Sequence, residues 1–111
     1  MRLALLADLH ANREAVDACL AKLRRLGFDR AVILGDIVGY GADPEWTIDT
    51  VQVLVADGGL ALYGNHDEAV LRDAQDDTGS TKHPHAQAAI AWTRDRLDET
   101  QRAFLAALPL S

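Results

Sequence analysis

Cysteine is nearly absent from this sequence: Cys19 stands alone among 111 residues. One thiol excludes an intrachain disulfide framework and gives no zinc-thiolate cluster. Its place in a helical pattern reads as a small core residue. Aromatic residues are scarce at 5%, against 49% apolar residues overall, so the core must be largely aliphatic. Trp46 and Trp92 read as helix-face packing and not as base-stacking platforms. Blocks of Lys and Arg are missing and the net charge is −6, which argues against a nucleic-acid-binding surface. The short "KLRR" (22–25) lies at a helix end, where cations suit the dipole. No apolar run approaches the ~20 residues that span a bilayer. "LALLA" (3–7) is cut off by Asp8 and is shorter than a signal-peptide core of roughly 7–15 residues. A cytoplasmic location without membrane association is the default expectation. No internal repeat or low-complexity tract is present.

What is there reads as one small α/β domain. "RLALLA" (2–7), "AVIL" (31–34) and "LALY" (60–63) are short apolar runs, each stopped by a polar or glycine-containing segment, as buried parallel strands are. Between them, Asn12 N-caps a predicted helix over 13–26, with Val16, Leu20 and Leu23 as its apolar face and Gly27 just past its end. Asp43-Pro44 reads as N-cap and first residue of a helix over 44–57, although its "VQVLV" also suits a strand. The result is β-α-β-α-β with short connections, which predicts adjacent parallel strands. Downstream, a short helix is expected at 67–74, a polar turn-rich loop at 75–84, and helices at 85–97 and 98–108. Asp98 caps the last of these and Pro109 stops it.

The chemistry lies just past the end of each strand. After the first come Asp8 and His10, after the second Asp36, after the third Asn65 and His66. A parallel sheet collects its strand ends at one edge, where open α/β folds place their sites. Taken singly, Asp36 reads as a turn residue, Asn65 as a left-handed turn residue, His10 as a loop histidine and Asp8 as a capping acid. Jointly, two carboxylates, imidazoles and an amide at equivalent positions suit divalent Mn, Fe or Zn. Asp36 has two oxygens and can bridge two ions, and paired metals roughly 3.5–4 Å apart clamp an in-line phosphoryl displacement. A receiver-like signalling module also carries acids at strand ends, but it has no use for "GNHD" (64–67).

"DLH" (8–10), "GDIVGYG" (35–41) and "GNHD" (64–67) resemble, in order and spacing, the D-x-H, G-D and G-N-H-[DE] blocks of the calcineurin-like metallophosphoesterase superfamily. "AAIAWTRDRL…FLAALP" is most similar to its small stand-alone bacterial and archaeal phosphodiesterases. The resemblance implies the N-terminal half of a four-layer α/β/β/α sandwich and hydrolysis of a small phosphodiester or phosphomonoester at a two-metal site. It implies that Asp8 and His10 hold the first metal, that Asp36 bridges both, and that Asn65 ligates the second and touches phosphate. His66 would face the substrate as proton donor or charge stabiliser.

Two departures qualify that expectation. Where the family's protein phosphatases have G-D-x-x-D-R-G, this sequence has Gly39, Tyr40 and Gly41, which favours diesters or nucleotides over phosphoproteins. The family also draws metal-binding histidines from a C-terminal half, some in a G-H-x-H block, which these 111 residues lack. The expected domain therefore spans 1–111 and stops before those blocks. That leaves two further expectations: a homo-oligomer or a missing half that completes the site, or a non-catalytic metal-binding fragment. His83 and His85 in "HPH" read as a polar helix start and not as substitute ligands. Tyr40 fits a pocket wall and an ordinary loop position equally, and Asp67 fits either a helix cap or a partner orienting His66.

Overall fold

The computed structural model describes residues 1–71 and 84–109, with side chains from 87 onward in the second segment. Residues 75–83 of the expected polar loop, His83 among them, and the side chain of His85 lie outside the described residues, and residue 84 already begins a helix.

The elements run in the order β1 (Leu3–Leu6), α1 (Arg13–Leu26), β2 (Arg30–Ile33), α2 (Pro44–Ala56), β3 (Leu60–Ala61), α3 (Asn65–Leu71), α4 (Pro84–Arg96) and α5 (Glu99–Ala106). The strands form a parallel sheet in the order β1-β2-β3. In α1, Asn12 accepts a hydrogen bond from the Ala15 N–H and so satisfies one orphan donor of the first turn. Asp43 occupies the predicted cap position of α2, but its carboxylate makes no capping bond. The start of α2 is held instead by Pro44 and by Thr47, whose N–H and hydroxyl both donate to the Asp43 carbonyl. "VQVLV" is helical because Thr47, Ile48, Val51 and Leu54 fall on one buried face at helical spacing.

Parallel register puts Ala4 beside Ala31, and Ile33 beside both Leu6 and Ala61. This face is the core face. Ile33 is fully buried and clusters with Val16 and Leu20 of α1 and Ile48 and Val51 of α2. Burial of a side chain of this size contributes about 1.5–3 kcal/mol. The other face carries Leu3, Leu5 and Leu60, which are exposed, with Val32 half-buried between Leu5 and Leu60. Both helices therefore leave one side of the sheet bare. α4 and α5 extend the core sideways through Ile90, Leu97 and Leu105, packing on α2 and α3.

Two packing expectations are corrected. Cys19 is exposed. It flanks the Val16–Leu20 stripe on the side of β1, a sheet edge that no described element covers, and it borders an open apolar groove of about 450 Å³ with Leu5, Leu23 and Leu26. Trp92 is 43% exposed. It lies two positions beyond the buried Ile90, about 200° around the helix, so it faces outward under the Arg96 guanidinium. Trp46 does pack on the core, with Arg13 over its ring.

Candidate metal centre

The loops after β1 and β2 at the carboxyl edge are laced by their backbones before any side chain contributes. The segment after β1 runs beside the one after β2: the His10 N–H donates to the Asp36 carbonyl and the Ala11 N–H to the Ile37 carbonyl, both at 2.9 Å. On its other side, the carbonyls of His10 and Ala11 accept from the N–H groups of Gly41 and Asp43. The loop after β3 joins through the His66 N–H, which donates to the Asp36 carboxylate at 2.9 Å. The approach is close enough to require glycine. A Cβ on Gly64 would run into the Asp36 nitrogen and carboxylate, and one on Gly41 would run into the His10 carbonyl.

Asp8, His10 and Asp36 converge as the sequence led us to expect. One ligand atom from each lies within 4.8 Å of the others. Atoms sharing one cation at ~2.0–2.3 Å lie at most roughly 4.6 Å apart, so modest side-chain movement closes the set on an ion. His10 Nε2 stands 3.6 Å from Asp8 Oδ1, too long for a hydrogen bond. The buried His10 Nδ1 has no hydrogen-bond partner. Two carboxylates and an imidazole brought this close are a group that could hold a divalent cation.

The backbone supplies a second signature. Among the described residues, the non-glycine positions with left-handed φ are Asp8, His10, Ala11, Asp36 and Tyr40. All three candidate ligands are among them. Such conformations cost about 1–2 kcal/mol per residue, and strain of this kind concentrates at functional sites.

Around the triad stand the other expected residues. The His66 ring lies 4.9 Å from that of His10, edge to face, and 4.7 Å from that of Tyr40. Tyr40 also meets His10 at 5.3 Å and remains exposed to solvent, as a wall beside both imidazoles. Asn65 is exposed at the first turn of α3, between Gly64 and His66, both of which meet Asp36. The helix begins two residues earlier than expected, at Asn65, because Gly64 acts as its cap and accepts from the Glu68 N–H.

Asp67 fills the expected cap role, accepting from the N–H of the cap residue Gly64, and adds a bond to a second loop. It is completely buried. One oxygen accepts from the Gly64 N–H and the other from the Val38 N–H, both at 3.0 Å. It reaches back to the start of its own helix and also across to the loop after β2. Burial pushes its carboxyl from 3.8 up to about 6; the N–H groups of Val38, Gly64 and Ile37 oppose the rise and the Asp36 charge adds to it.

Comparison with known proteins agrees with this geometry. The family model described as calcineurin-like phosphoesterase matches residues 1–103. An uncharacterised protein of Methanocaldococcus jannaschii is 34% identical over 97% of this chain and 42% of its own length. A metallophosphoesterase structure from Sphaerobacter thermophilus is 34% identical with a TM-score of 0.79, covering 98% of this chain and 41% of that one. A candidate diadenosine tetraphosphatase, 23% identical over 97% of this chain and 43% of its own, shares the fold with a TM-score of 0.67. The chain thus spans about two fifths of the length of these proteins.

Proposed function

This chain belongs to the calcineurin-like phosphoesterase family, and from that premise we propose that it forms the N-terminal part of a metal-dependent hydrolase for small phosphate esters. The observation that carries the proposal is the convergence of Asp8, His10 and Asp36 from two strand ends, with His66 delivered from the third.

Each residue has a distinct task. Asp8 and His10 would hold one divalent cation, with Asp36 beside them, and Asp36 and Asn65 are the residues that would hold a second. Bound there, such cations supply Lewis acidity to phosphoryl oxygens and acidify water. Asn65 orients the phosphate through its amide. Water adds to phosphorus, the ester P–O bond breaks, and His66 gives a proton to the departing oxygen. Tyr40 walls the side of the site next to His66. The net charge of −6 does not oppose an anionic substrate once cations occupy the cluster, because they set the local field.

The experiment combines calorimetric Mn2+ titration with hydrolysis of a model phosphodiester. Asp36→Asn is expected to lower metal affinity at least tenfold. His66→Gln is expected to keep metal affinity and lose about 10²–10⁴ in turnover. Metal binding that survives joint removal of Asp8, His10 and Asp36 would overturn the site. Metal binding without turnover would favour the second reading, a non-catalytic metal-binding unit.

A further inference from the structure

We infer that Asp67 is a positioning residue for the metal centre: its buried carboxylate staples the loop after β2 to the loop after β3 and thereby sets how tightly the cluster holds its cations. The inference rests on the proposed metal site but concerns a residue that touches neither metal nor substrate.

Asp67 faces donors and no acceptor among its described bonds: the N–H groups of Val38 and Gly64 each donate to one of its oxygens, and the Ile37 N–H lies beside them. Only a group that accepts twice satisfies the first two. Asparagine has nearly the same shape, yet its NH2 would confront one of the two N–H groups, and a buried donor would be left unpaired. The staple's two ends flank the site. Val38 lies two residues beyond Asp36, and Gly64 immediately precedes Asn65 and His66. A parallel tie, from the His66 N–H to Asp36 Oδ1, uses a carboxylate oxygen that a cation at Asp36 would also draw on. Once Asp36 turns its oxygens toward cations, that tie weakens, and Asp67 keeps the loops together. The fold buries this carboxylate completely, which is intelligible if two loops must be held in register at that point. Partners that orient ligands in this way typically change metal affinity 10- to 100-fold when removed.

The test is Mn2+ titration of Asp67→Asn in the 111-residue chain, with Thr93→Val as control. Thr93 is equally buried, and its hydroxyl bonds the Ala89 carbonyl within α4, so its loss lowers stability without touching either loop. Asp67→Asn is expected to weaken Mn2+ binding at least tenfold, and Thr93→Val to leave it within twofold. A folded Asp67→Asn with wild-type affinity overturns the inference, as does an equal loss in Thr93→Val. Should Asp67→Asn fail to fold, amide exchange in the wild-type chain decides. Saturating Zn2+, which is diamagnetic, must slow exchange at both Val38 and Gly64, and protection elsewhere that skips these two overturns the staple. Wild-type protein that binds neither metal overturns the metal site itself, and the inference with it.

Discussion

At the scale of single residues, the convergence of side chains was legible wherever topology alone determined position. Asp8, His10 and Asp36 each lie just past a strand, and a parallel sheet carries strand ends to one edge whatever the side chains are. The cap role of Asp67 was legible, but its bond to the Val38 N–H was not, because that depends on which N–H groups the neighbouring loop presents, and this is fixed only by tertiary packing. Its raised carboxyl has a measurable consequence. The ordinary value is 3.8 and the folded value about 6, so between them the native state holds more protons than the unfolded chain. In metal-free protein, this group therefore lowers stability as pH rises from 4 to 7. The penalty is at most about 3 kcal/mol, complete above pH 6 and absent below the unfolded value. Other carboxylates contribute their own slopes, so the quantity to measure is the stability of wild type minus that of Asp67→Asn by denaturant titration across this range. That difference is expected to fall as pH rises, and to fall less with Mn2+ present, since a cation at Asp36 favours the charged form. A difference flat from pH 4 to 7 would contradict the burial argument.

At the scale of elements, boundaries tracked capping chemistry closely and sheet pairing less so. α1 spans the expected 13–26 because Asn12 and Gly27 both act locally. β3 was read as four residues but pairs over two. The Leu62 N–H still reaches the Ile33 carbonyl, while the Tyr63 N–H turns to the carbonyl of Pro109, three residues past the end of α5. Strand length depends on partners that a local pattern does not contain. α5 shows the opposite case. Asp98 accepts from the Gln101 N–H and the Gln101 side chain accepts from the Asp98 N–H, a complete capping box. Gln101 also donates to Asp49, which ties α5 to α2. Asp98→Ala is expected to cost about 1 kcal/mol by thermal or denaturant unfolding. Gln101→Ala should cost more, because it loses half the box and the interhelical bond together. Metal affinity should be unchanged in both, since neither residue is near the three loops. A loss in Asp98→Ala below about 0.3 kcal/mol would mean that α5 is held by Leu105 packing alone.

At the scale of the whole molecule, the two faces of the sheet differ in kind. One is a closed aliphatic core. The other presents Leu5 at 64% and Leu60 at 61% exposure on either side of Val32, with Leu3 continuing the stripe. Contiguous apolar surface of this sort is uncommon on monomeric proteins. In the matched proteins, more than half of the chain lies outside the region shared with this one. The asymmetry calls for two experiments. Leu5→Lys with Leu60→Lys should change stability by no more than about 0.5 kcal/mol, because neither side chain is withdrawn from water in this chain. Ile33→Ala on the buried face should cost about 2–5 kcal/mol. The double lysine variant should also reduce native-state binding of the apolar dye ANS severalfold and leave Mn2+ affinity intact, since the stripe lies mid-strand and the metal loops lie beyond the strand ends. If the lysines destabilised the chain as much as Ile33→Ala does, the stripe would have to be covered in solution. The bare face would then belong to an assembly that the isolated fold does not display.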